Sequence, residues 1–262
     1  MGLTEIDAAF AKARAEGRPA LMPYWSLGYP NAETSLRVIE AIVSAGADMV
    51  ELGVPFSDPL ADGPVIQHAN QIALEHGITV NRCVALAARL RATGVTAPMF
   101  AMGYANPMLA HGEARYVKDW HGAKIDGLIV PDLPPEESAG LKHECEARGM
   151  ALVQFAAPTS TDERIKLAAF HATGFIYVVS VAGVTGARAA LAAGLREYVE
   201  RVKSYAAGKP VVVGFGISNR EQVREVGQFA DGVIVASALI RAAGDAPDPA
   251  QAAYDFVKQL RA

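Results

Sequence analysis

Glu51 and Asp62 are the residues of this 262-residue sequence best placed to do acid–base chemistry. They bound the stretch Glu51-Leu-Gly-Val-Pro-Phe-Ser-Asp-Pro-Leu-Ala-Asp62, which begins where the apolar run 47–53 ends. That run reads as a short buried strand, with Glu51 near its carboxyl end and Asp62 on the loop beyond. In α/β proteins this edge of the sheet is where chemistry is placed. Pro55, Pro59 and Pro64 stiffen the connection, and Val54, Phe56, Leu60 and Val65 are apolar enough to pack, so disorder fits badly. The competing reading is an ordinary packed loop carrying two solvated acids.

Other strand ends narrow the chemistry by what they lack. No lysine falls at the carboxyl end of a predicted strand, so a Schiff-base aldolase has no amine. His68, His76, His111, His121, His143 and His171 lie on or beside predicted helices, which argues against a metal site. Cys83 and Cys145 have neither zinc-ligand nor redox spacing. Glu51, Asp62, Tyr104, Asp132, Tyr177, Ser180 and Thr185 remain to face the mouth, and they form an acid–base set.

The elements that must position these groups follow from apolar periodicity. Strands are expected at 20–26, 47–53, 98–102, 127–131, 151–155, 175–180, 210–214 and 232–235. Helices are expected at 4–16, 31–45, 80–92, 112–121, 136–148, 161–171, 191–204, 220–226 and 249–260. Thr4 serves as the capping residue of the first helix, and nothing strongly helical follows Glu51 before Gln67. Eight buried strands, each followed by a helix, predict a single-domain (β/α)8 TIM barrel over residues 1–262 with an extra N-terminal helix. A doubly wound open sheet is the alternative, but no Gly-x-Gly-x-x-Gly turn follows the first strand. Gly183-Val-Thr-Gly186, Gly214-Phe-Gly216-Ile-Ser218 and Ala236-Ser237 end three consecutive late strands, where barrels commonly hold a phosphate on backbone N–H groups.

Composition limits the partners. Hydrophobic residues make up 51% of the chain, the formal net charge is −4, and basic residues do not cluster. Neither nucleic acid nor an anionic membrane surface is expected to bind. No apolar run approaches membrane-spanning length and no signal sequence is visible, so a cytoplasmic location is expected.

The stretch from Glu51 to Gln67 resembles the signature of the tryptophan synthase alpha subunit family. So do Tyr104-Ala-Asn-Pro107, Val130-Pro-Asp-Leu-Pro-Pro135, residues 180–186 and Gly214-Phe-Gly-Ile-Ser218. The resemblance runs in order from about Ala20 to Arg241. It implies a lyase that cleaves indole-3-glycerol phosphate to indole and glyceraldehyde 3-phosphate by a retro-aldol reaction. Protonation of the indole ring at C3 would make the substrate its own electron sink, which accounts for the absent lysine.

By this resemblance Glu51 is the proton-shuttling carboxylate and Asp62 the one facing the indole N–H. An apolar strand-end environment of Val50, Leu52 and Phe56 would raise the Glu51 pKa. Tyr24, Phe100, Tyr104, Ile129 and Tyr177 are candidate substrate contacts, with Leu128 better read as barrel core, and Thr185 would help to close the site. Gly186, Gly216, Ala236 and Ser237 are the phosphate candidates. The implied partner is a beta subunit carrying pyridoxal phosphate, in an alpha2-beta2 heterotetramer, with no cofactor or metal in this chain. A stand-alone lyase, or a weak subunit that mainly activates its partner, are the alternatives. The chain departs from the family pattern at Ala236, where glycine is usual, at Trp25, where a smaller β-branched residue is usual, and at Ile72, often arginine. Helix geometry starting at Ser237 would give Ala236 a negative φ, which tolerates the extra methyl.

Overall fold

Unbroken apolar runs such as Val211-Val-Val-Gly214 and Gly232-Val-Ile-Val235 form parallel strands that are covered on both faces. The computed structural model describes residues 2–179, 188–214 and 216–261, and of residues 188–193 the backbone alone. The strands are β1 (Ala20–Ser26), β2 (Val50–Gly53), β3 (Met99–Met102), β4 (Gly127–Ile129), β5 (Ala151–Ala156), β6 (Ile176–Val179), β7 (Val211–Gly214) and β8 (Gly232–Val235). They pair in sequence order, and β1 closes on β8 through Ala20 opposite Gly232 and Leu21 opposite Val233. The result is the expected (β/α)8 barrel.

The helices are α1 (Leu3–Ala15), α2 (Ala32–Ser44), α3 (Pro64–Glu75), α4 (Val80–Ala92), α5 (Ala105–His111), α6 (Glu113–Gly122) and α7 (Ala139–Glu146). They continue with α8 (Asp162–His171), α9 (Arg188–Tyr205), α10 (Arg220–Val226), α11 (Ser237–Ala243) and α12 (Pro249–Arg261). Side chains of Asn31, Thr79, Thr161 and Asn219 accept backbone N–H bonds at the starts of α2, α4, α8 and α10, satisfying donors those helices leave unpaired. The first helix differs from expectation. It begins before Thr4, at Leu3, with Gly2 in the cap position and the Leu3 N–H donating to the Gly149 carbonyl at 3.3 Å. Its Ile6 and Phe10 are buried, and Phe10 meets Phe175 with ring centroids 6.1 Å apart, which plugs the amino end of the barrel.

Two helices were not anticipated in full from the sequence. α3 starts at Pro64 rather than near Gln67, and α5 occupies the Ala-Asn-Pro segment. Pro64 and Pro107 both sit in a first helical turn, where the missing N–H has no intrahelical acceptor to lose. β2, β3 and β8 are therefore each followed by two helices.

Register sets which side chains share a level inside the barrel. Tyr24 on β1 lies opposite Glu51 on β2, and Glu51 opposite Phe100 on β3. Large inward aromatics need space on the neighbouring strand, and glycine supplies it. A β-carbon on Gly53 would overlap the Tyr24 hydroxyl, and one on Gly214 would overlap the Tyr177 hydroxyl.

Candidate active site

Glu51 reaches the barrel interior because residues alternate along β2: Val50 and Leu52 face the helical layer while Glu51 faces inward. The apolar surroundings expected from Val50 and Leu52 therefore come from elsewhere, since both lie on the other face of the strand. Glu51 is 2% exposed, and its Oε2 has no hydrogen-bond partner among the described residues. Burial, reinforced by the charge of Asp62, pushes its carboxyl up to about 8. At neutral pH it holds a proton.

Asp62 is carried by the loop between β2 and α3 and is half-buried. Its main chain is fixed by the Gln67 side-chain amide, which donates to the Asp62 carbonyl at 2.8 Å. Its side chain ends a directed chain of donors. Tyr24 Oη lies 3.1 Å from Ser26 Oγ, Ser26 donates to Asn70 Oδ1 at 3.0 Å, and Asn70 Nδ2 donates to Asp62 Oδ2 at 3.4 Å. With the Ser26 proton committed to Asn70, Tyr24 is the donor to Ser26. Burial raises the Asp62 carboxyl to about 6, while hydrogen bonds from Tyr104 and Asn70 hold it down. Tyr104 itself is fixed by the Ala61 N–H, which donates to its hydroxyl at 3.1 Å, and by the Phe56 ring at 5.4 Å.

Glu51 and Asp62 line one cavity of about 360 Å³ at the carboxyl edge of the barrel. Tyr24, Ile66, Met102, Phe155, Tyr177 and Ile234 form apolar wall, with Phe155 stacked on Tyr177 at 4.9 Å between ring centroids. Gly216, Ala236 and Ser237 line it from the β7–β8 side. Gly216 has φ +79°, a left-handed conformation that only glycine takes without strain. Ala236 has the expected negative φ, −118°, with ψ −84°, a pair outside both the helical and the extended wells.

Not every candidate reaches this cavity. Phe100 lies beside Glu51 in register but turns its ring onto Phe175, at 5.2 Å and 71°, and fills the barrel below. Ile129 and Leu128 are fully buried strand residues that do not line the cavity. Tyr104 touches the site through Asp62. Asp132 accepts the Ala105 N–H at 2.8 Å and so holds the start of α5. Ser180, Thr185 and Gly186 lie outside the described residues. Trp25 packs outward with its Nε1 donating to the Tyr29 carbonyl at 2.9 Å, and Ile72 packs partly buried on the core.

Sequence reasoning missed Asn70, Ser26, Phe155 and Arg241. Asn70 carried one available signal, an amide standing one turn after Ile66 on the buried stripe of α3. Among the described residues no helix is long and apolar enough to cross a membrane, and no group of three potential metal ligands converges.

A closed eight-stranded parallel barrel with a buried, proton-bearing carboxyl at its carboxyl edge defines a barrel enzyme built for acid–base catalysis. Comparison with known proteins narrows the class. The family model described as "Tryptophan synthase alpha chain" matches residues 10–261. The tryptophan synthase alpha chain of Roseiflexus sp. (strain RS-1) is 50% identical over 261 residues, covering 99% of this chain and all of the relative. Tryptophan synthase subunit alpha from Legionella pneumophila superimposes with a TM-score of 0.90 at 35% identity, covering 98% of this chain and 97% of that one. A chain of tryptophan synthase from M. tuberculosis gives 0.88 at 33% identity, with 98% and 97% covered. The chain belongs to the tryptophan synthase alpha chain family. It is a carbon–carbon lyase of tryptophan biosynthesis, acting on indole-3-glycerol phosphate.

Proposed function

We propose that Glu51 moves the protons of the lyase reaction and that Asp62 supports the charge on the indole nitrogen. Neutral Glu51 donates its proton to C3 of the indole ring, giving an indoleninium whose nitrogen is positive. The ionised Asp62 carboxylate accepts the indole N–H and offsets that charge. The glycerol hydroxyl next to the scissile bond gives its proton to the Glu51 carboxylate and becomes the aldehyde carbonyl. The carbon–carbon bond electrons return to the ring. Indole and glyceraldehyde 3-phosphate leave, and Glu51 is again protonated.

The indole ring sits against Tyr24, Phe155 and Tyr177, and the phosphate is held on the side of Gly216, Ala236 and Ser237, with Gly186 assigned to the phosphate and Thr185 to closure by family likeness. The chain works in the cytoplasm as one domain without a cofactor of its own. Its partner is a beta subunit carrying pyridoxal phosphate, in an alpha2-beta2 assembly.

The observation that supports the catalytic assignment best is the unpartnered, buried Glu51 Oε2, on a carboxyl still protonated at neutral pH. Glu51→Gln keeps shape and burial but removes the titrating group. It is expected to lower kcat for indole release by about 10²-fold or more with KM little changed. Asp62→Asn should also lose most turnover, because a neutral amide cannot offset the positive nitrogen. A Glu51→Gln enzyme that kept more than about a tenth of kcat would show that another group carries the proton.

A further inference from the structure

The charges around the cavity are unevenly distributed. Its described lining holds two carboxyl groups, Glu51 and Asp62, near the β1–β2 side, and a single cationic side chain, Arg241, on α11. Arg241 follows Ser237 by four residues and so stands on the same face of that helix, one turn further on. It is exposed, and no described side chain forms an ion pair or hydrogen bond with it.

A phosphate monoester carries about −1.5 to −2 charges near neutral pH. Bringing that charge into a cavity that already holds an ionised Asp62 calls for more than neutral donors. The Ser218 hydroxyl, also on the lining, is already committed to the Gln222 side chain at 3.0 Å, and the Ser218 N–H donates to the same oxygen at 2.8 Å. α11 is only seven residues long, which limits what its backbone dipoles can add. A guanidinium can meet two phosphate oxygens at once in fixed geometry, where an ammonium acts as a point charge.

We propose that Arg241 pairs directly with the substrate phosphate and is the residue that makes this lyase select a dianionic ester. The assignment rests on the phosphate seat proposed above at Gly216, Ala236 and Ser237. It also fixes polarity: the phosphate is drawn to the β7–β8 side, which leaves the aromatic end of the substrate against Glu51 and Asp62.

The test uses the full chain and three variants, Arg241→Met, Arg241→Lys and Ser237→Asp, with glycerol 3-phosphate as the calorimetric probe and indole release as the assay. Arg241→Met is expected to raise both the Kd for glycerol 3-phosphate and the KM for indole-3-glycerol phosphate about fivefold or more, with kcat within about twofold. Arg241→Lys should recover part of the loss, since the charge remains. The wild-type Kd should weaken between about 20 mM and about 500 mM salt, and Arg241→Met should flatten that dependence. A Kd within about twofold of wild type and an unchanged salt slope in Arg241→Met would overturn the assignment. Ser237→Asp places a carboxylate in the seat itself and separates the two claims. If it abolishes binding while Arg241→Met does not, the seat stands and the role of Arg241 is wrong. If neither change matters, the phosphate seat is misplaced and the Arg241 assignment falls with it.

Discussion

Glu51 must be neutral and Asp62 ionised for one to give a proton while the other carries a charge, and that pattern exists only between their two pKa values. Asp62 titrates at about 6 and Glu51 at about 8, so kcat/KM should rise through the first and fall through the second. The two groups interact, and the limbs belong to the pair. Asp62→Asn removes the charge that helps to raise Glu51, and its residual activity should show the alkaline limb at lower pH. Initial rates between about pH 5 and pH 9.5 check this; a profile flat across that range would exclude the pair as the titrating groups. Folding carries the same linkage with its own sign. The raised Glu51 pKa means that the folded chain keeps a proton the unfolded chain has lost. Stability therefore falls as pH rises from about 4.5 to about 8, and Glu51→Gln should lose that dependence. These two acids were legible in the sequence because strand ends and rigid loops constrain position. Asn70 and Ser26 were not, since their value lies in a contact between α3 and β1 that only packing creates.

Elements were legible where a periodic run was long and ambiguous where proline interrupted it. Pro64 and Pro107 both looked like loop residues, yet each stands in the first turn of a helix. Sequence pattern identifies a proline but cannot say whether the donor it lacks was needed. The strands were read correctly as buried, whereas their detailed fit was hidden. Gly53 looks like any strand-end glycine, but Tyr24 fills the space where its β-carbon would stand. Gly53→Ala is accordingly expected to destabilise the barrel by about 1–3 kcal/mol through overpacking. It should also lower lyase activity by displacing Tyr24 from Ser26. Gly122→Ala is the comparison, because its β-carbon meets nothing and it ends a helix, so stability should stay level or rise by up to about 1 kcal/mol. Urea unfolding of both variants decides the matter, and equal midpoints would remove the packing argument.

At the scale of the molecule, the barrel separates its two ends. The amino end is sealed by α1 through Ile6 and Phe10, and the carboxyl end carries the cavity and its loops. Two large apolar side chains project from neighbouring connections at the carboxyl end. Leu60 is 89% exposed on the loop after β2, and Leu109 is 59% exposed on α5 after β3. Single exposed leucines are ordinary, but two on adjacent connections beside an active-site mouth fit the docking face of the beta subunit proposed above. Phe170 offers an internal comparison. It is 69% exposed at the end of α8, toward the amino edge, and Lys142 Nζ already stands 4.6 Å over its ring. Leu109→Asp should weaken association with the beta subunit by at least about tenfold and remove any rate increase the partner confers, because a buried charge would face an apolar contact. The isolated variant should keep its indole release rate within about twofold, since Leu109 does not line the cavity. Phe170→Asp should leave association unchanged. Titration of each variant with beta subunit, followed by calorimetry and indole release together, makes the comparison. Equal affinities for wild type and Leu109→Asp, or equal losses from both substitutions, would place the partner on another face of the barrel.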